Sequence, residues 1–98
     1  MDKNKNLVSL NKLWDVAKSK NIDKYIKNIQ YSDKPEKKYT ITNINNKKLE
    51  IGSAYHQDFL IHGSDLRRNN FRTRFKKLFE KNKNNINSSM FYSWYLLW

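Results

Sequence analysis

From Lys38 to Ile51 the sequence carries the two-residue period of a β-hairpin, and on either side of it the apolar residues recur at helical spacing. Lys38-Tyr39-Thr40-Ile41-Thr42 alternates and is rich in β-branched side chains, as a half-buried strand requires. Asn43 to Asn46 supplies turn residues, and Lys48-Leu49-Glu50-Ile51 reads as the returning strand, stopped by Gly52-Ser53. A hairpin flanked by helices points to an α+β architecture.

Ahead of the hairpin, Ser9 is placed to cap a helix whose apolar face is Leu10, Leu13, Trp14 and Ala17. Asn21 then caps a second short helix with Ile22, Tyr25, Ile26 and Ile29 on one side. The step from Ala17 to Ile22 breaks the register, which puts a turn near Lys20-Asn21. Residues 1–31 are therefore expected to form a helical pair. Ser32 to Lys38, which holds the only proline, Pro35, is a linker or turn.

Beyond the hairpin, residues 54–62 read as irregular or as a short third strand, with Tyr55, Phe59 and Ile61 alternating inward. Gly63-Ser64-Asp65 opens a long helix, with Ser64 as its N-cap and Asp65 favourable against the positive end of the dipole. This helix runs to about Asn82 and carries Phe71, Phe75, Leu78 and Phe79 on one stripe. Arg72, Thr73, Lys76 and Lys77 fall on or beside the opposite face, and Arg67 and Arg68 lie one turn before Phe71. A Lys/Asn loop follows over residues 81–87. Ser88 caps a last short helix with Phe91, Trp94, Tyr95 and Trp98 at helical spacing, and Met90, Leu96 and Leu97 cover much of its remaining circumference. A helix apolar nearly all round is buried, in its own core or against a partner.

At 98 residues the chain is one small domain, its core formed by the hairpin and the two later helices over residues 38–98. An aromatic content of 14% argues for folding rather than disorder. With no cysteine, disulfides and thiolate metal sites are excluded. The stretch Met1 to Asn6 is polar and is not a secretory signal. The longest apolar run, Met90 to Trp98, is far short of the roughly 20 residues of a membrane-spanning helix. No membrane partner and no secretion are expected.

The formal net charge is +11. The chain is crowded with Lys, Asn and Ile, the residues an AT-rich genome supplies, so scattered lysines count for little. The arginines are different. All four, Arg67, Arg68, Arg72 and Arg74, lie in one segment, and between Ser64 and Lys83 eight basic side chains face only Asp65 and Glu80. Arginine offers a planar fork of donors that matches phosphate. A helix with an apolar back and an Arg/Lys front can lie along a phosphate backbone. The candidate nucleic-acid contacts are Arg67, Arg68, Arg72, Arg74, Lys76 and Lys77, joined by Lys47 and Lys48 at the hairpin tip. Only Asn69 and Asn70 are obvious base-edge readers, so the binding is expected to be largely independent of sequence.

Two other constellations compete. His56, Asp58 and His62 would share one face of a strand and could ligate a metal for phosphodiester cleavage, but no further acidic ligand is near. The expectation is a non-enzymatic protein without cofactor. The aromatic set Phe91, Trp94, Tyr95 and Trp98 could instead anchor a partner, either another protein or a second copy, which makes a structural or assembly protein the competing reading.

Gly52-Ser53, Tyr55, Asp58-Phe59, His62, Asp65, Arg67-Arg68, Phe71 and Arg74, with the ending Tyr95-Leu96-Leu97-Trp98, resemble a family of short basic proteins encoded by large DNA viruses of eukaryotes. The similarity runs from about Tyr39 to Trp98 and leaves the N-terminal helices outside. Leu60 stands where that pattern has threonine, Gly63-Ser64 near where it has lysine, and Phe75 where it often has histidine. The resemblance implies a viral, AT-rich context, with DNA as the favoured nucleic acid and a virion or replication compartment as the location. It supplies no activity.

Overall fold

The computed structural model describes residues 6–98; residues 1–5, which make up most of the polar stretch read above as lacking a secretory signal, lie outside it. The fold is α+β. Helix α1 (Leu10–Ser19) packs with a three-stranded antiparallel sheet of order β1-β2-β3, formed by Ile26–Tyr31, Lys37–Asn43 and Lys48–Ser53. A short helix α2 (Phe59–His62), a long helix α3 (Asp65–Asn82) and a short α4 (Ser89–Tyr92) follow, and α4 runs on into a π-helical turn, Ser93–Leu97. No helix among the described residues is long and apolar enough to cross a membrane.

Helix α1 starts where its cap predicts, with the Lys12 amide donating to Ser9 Oγ. It ends where the sequence reading placed the start of another helix. Asn21 has φ +63°, and the Ile22 amide donates to Ala17 O while the Asn21 amide donates to Lys18 O. That is a Schellman closure, and asparagine is one of the few residues that tolerates its left-handed position. Asn21 therefore ends the first helix and caps no second one. The expected helical pair is a single helix, a 3₁₀ turn (Asp23–Tyr25) and a strand.

Strand β1 imitates a helix for a definite reason. Its pairing with β2 advances from Ile26↔Asn43 to Asn28↔Thr42, two residues against one, so Lys27 is the extra residue of a β-bulge. The bulge turns both Ile26 and Ile29 to the core, whereas an unbroken strand would put residues three apart on opposite faces. The hairpin forms where it was read and is longer at both ends, continuing through Gly52-Ser53, but its first strand is not half-buried: Lys38 and Thr40 are buried on one face and Tyr39 and Ile41 on the other.

One core joins these layers: Leu13 and Ala17 of α1, Ile26 and Ile29 of β1, Tyr39 and Ile41 of β2, Leu49 and Ile51 of β3, and Phe91, Tyr92, Leu96 and Leu97 from the last segment. Tyr39 also pins the chain ahead of α1: its hydroxyl accepts from the Val8 amide at 2.9 Å, and burial pushes its pKa up to about 12. Asn43, fully buried, organises the hairpin turn by accepting from the Asn45 and Lys47 amides. It also donates to Ile86 O and Asn87 Oδ1 in the loop after α3.

The segment after β3 is a turn and helix rather than a third hairpin strand. Asp58 caps α2 by accepting from the Leu60 amide, Gly63 at φ +61° closes it, and Tyr55 is exposed instead of facing inward. The same Asp58 receives a 2.8 Å ion pair from Lys38, whose side chain is 1% exposed in the middle of the sheet. Gly52 stands across from Lys38 at φ +78°, and a Cβ there would sit 3.0 Å from Lys38 Cδ and 3.2 Å from Leu97 Cδ1. Glycine is needed for both backbone and space.

Candidate nucleic-acid interface

Helix α3 has the expected start, with the Arg67 amide donating to Ser64 Oγ and Asp65 in the first turn. It contains no fully buried residue. What holds it is a set of ring contacts with the last segment. Phe71 stacks on Trp98 with centroids 4.4 Å apart, Phe79 stacks on Trp94 at 4.1 Å, and Phe75 lies against Phe71 at 4.7 Å. Such pairs contribute on the order of 0.5–1.5 kcal/mol each beyond their burial.

The four arginines divide into two pairs. Arg68 and Arg72, spaced i and i+4, share the packing side with Phe75 and Phe79 and both reach the Trp98 carbonyl. Arg68 Nε donates to it at 2.7 Å and an Arg72 terminal nitrogen at 2.9 Å. The Arg68 guanidinium also lies 4.6 Å from the Phe59 ring, and that of Arg72 lies 5.3 Å from the Trp94 ring. Burial first, and then the charge of Arg68, lower the Arg72 pKa; the Lys20 ammonium is lowered by burial and by both arginines. Arg72 is therefore not on the solvent face where the helical wheel placed it. Arg67 and Arg74 are exposed, as are Lys76 and Lys77, and none of the four has an ion-pair partner among the described residues. Arg67, Arg74 and Lys81 recur every seventh residue, two turns apart, and so lie along one line of the helix.

Lys47 and Lys48 are exposed at the start of β3, the far end of that strand from the Gly52-Ser53 end that faces α3. Asn70 faces a cleft between α3 and the sheet, and Asn69 borders a shallower depression on the other side of the helix. The cleft, about 920 Å³, lies between Arg67, Arg74 and Phe75 on one wall and Lys37, Gly52 and Ser53 on the other.

The aromatic segment is turned inward. Phe91 is 4% exposed and belongs to the core, Tyr95 and Trp98 pack against that core, and Trp94 is stacked under Phe79. As placed, these rings seat α3 rather than stand free for a partner. His56, Asp58 and His62 do not converge on a strand face. Asp58 is taken up by Lys38 and the α2 cap, and His62 Nδ1 accepts from the Ser64 amide at 2.9 Å. Burial and the Arg67 charge hold the His62 imidazole below its ordinary value of 6.5. Its Nε2 has no hydrogen-bond partner among the described residues, and those residues contain no group of three or more His, Cys, Asp or Glu arranged to hold a metal ion.

Sequence reading missed the Lys38–Asp58 pair. Its one signal is glycine at position 52, which faces Lys38 across the β2–β3 ladder and leaves room for a buried lysine stem.

No curated protein and no solved structure matches the chain. A family of unknown function (DUF5754) matches over residues 27–75. That span opens in β1, ahead of the region on which the viral resemblance was drawn, and closes within α3, short of the aromatic segment. It takes in the sheet, the Lys38–Asp58 pair, α2 and all four arginines; on this match the chain belongs to the DUF5754 family.

Proposed function

We propose that the protein binds nucleic acid, with DNA favoured, without enzymatic turnover and largely without reading sequence, through the exposed cations of α3. The contacts are Arg67, Arg74, Lys76 and Lys77, while Arg68 and Arg72 keep α3 on its aromatic seat. The observation that carries this reading is the absence of any ion-pair partner for those four side chains among the described residues. Exposed cations without ion-pair partners attract a polyanion and release its counterions. The viral resemblance supports a setting in which such a protein meets DNA, in a virion or a replication compartment. The assembly reading has less support, because its anchors Phe91, Trp94, Tyr95 and Trp98 are already engaged within the chain.

The test is duplex DNA binding by fluorescence anisotropy for the native protein and for Lys76→Ala/Lys77→Ala. Both lysines are exposed, so folding is unaffected. The double variant is expected to bind more weakly by a similar factor on unrelated sequences. Equal affinity for native and variant protein would remove the helix from the interface.

A further inference from the structure

The cleft beside α3 differs in chemistry from the outward face of the helix. Lys37, Arg67 and Arg74 enter it with no ion-pair partner among the described residues. Of the two carboxylates that border it, Asp58 is neutralised by Lys38, and Glu50 accepts hydrogen bonds from the Ser32 and Thr40 hydroxyls. Next to these cations, in a lining that also holds Asn70, lie two apolar side chains: Phe75 is half-buried, and Leu78 is 45% exposed. An aromatic ring and an aliphatic side chain beside cations that lack ion-pair partners suit a base with its phosphate attached. The volume, about 920 Å³, is that of a site for small molecules or for a short stretch of chain. A duplex keeps its bases stacked within the helix, whereas a single strand can turn one outward onto an aromatic ring.

We propose that this cleft holds a short stretch of single-stranded nucleic acid, with phosphate on Arg67, Arg74 and Lys37 and a base against Phe75 and Leu78. The inference rests on the nucleic-acid reading above and names the form of nucleic acid for this side of α3. An acidic peptide would answer the cations but leave Phe75 and Leu78 facing water.

The test sets Leu78→Glu against Leu66→Glu. Leu66 is 70% exposed on the same helix but does not border the cleft, so both variants add one negative charge to α3 and neither removes core packing. The probes are a short labelled thymidine oligonucleotide, a mixed-sequence DNA duplex and a poly-glutamate peptide, each titrated into the full chain. Leu78→Glu is expected to weaken oligonucleotide binding about tenfold more than Leu66→Glu does, while the two variants affect the duplex alike. Phe75→Ala, confirmed as folded by circular dichroism, is expected to lose oligonucleotide binding to a similar degree. Equal losses in the two leucine variants overturn the proposal. So does a glutamate peptide that binds as tightly as the oligonucleotide and responds to Leu78→Glu in the same way. A native protein that binds duplex but no single strand defeats the cleft alone, and one that binds no nucleic acid defeats the basic-helix reading with it.

Discussion

The buried Lys38–Asp58 ion pair links the centre of the sheet to the start of the helical half. Taking one partner away leaves an uncompensated charge in the interior, which costs about 3–5 kcal/mol. Asp58→Ala is expected to lower unfolding stability by that order in a denaturant titration, since the α2 cap is lost as well. Lys38→Met combined with Asp58→Ser, which keeps a capping oxygen, should recover most of the loss. His62 behaves differently because its pKa is lowered on folding. The unfolded chain then binds the proton more readily, so the stabilisation is complete above pH 6.5 and is lost as the pH falls below it. Protonation of Nδ1 also removes the acceptor for the Ser64 amide. The native protein is expected to lose stability from pH 6.5 downward more steeply than His62→Asn, in parallel denaturant titrations. Equal slopes would mean that the imidazole titrates alike in both states.

The elements differ in how openly the sequence announces them. Helix α1, the hairpin and α3 are legible because caps and strand or helix signals agree: Ser9 and Ser64 both accept the expected amides, and residues 38–42 form β2, although Lys38 and Thr40 are buried as well as Tyr39 and Ile41. Strand β1 is not, because the bulge at Lys27 gives Ile26 and Ile29 the spacing of a helical face. Asn21 compounds the error, since its side chain suits a helix start while its backbone closes the helix before it. In the candidate interface, the clustering of arginines is visible in sequence but their division is not. Arg68 and Arg72 are set apart from Arg67 and Arg74 by the side of α3 that packs on the last segment, where the Trp98 carbonyl and the Phe59 and Trp94 rings stand. Because α3 rests on rings and these two arginines, it is the element that should open first. Arg68→Ala/Arg72→Ala is expected to speed amide exchange along α3 by an amount equivalent to about 1–3 kcal/mol, while β2 amides remain protected. Uniform loss of protection would show that α3 and the sheet open as one unit.

At the scale of the whole molecule, the sheet, α1 and the last segment form one core, and α3 is mounted on its outside with cations along its exposed length. The net charge of +11 exaggerates the interface, because it counts lysines spread over every surface. The proposed contacts Arg67, Arg74, Lys76 and Lys77 stand exposed on one helix, without an ion-pair partner among the described residues. The measurement that bears most directly on this claim is the salt dependence of duplex binding. The logarithm of the binding constant should fall linearly with the logarithm of salt concentration. The slope should shrink by about 2 in Lys76→Ala/Lys77→Ala, one contact for each phosphate no longer neutralised. A slope near zero, or one that the double variant leaves unchanged, would contradict the account.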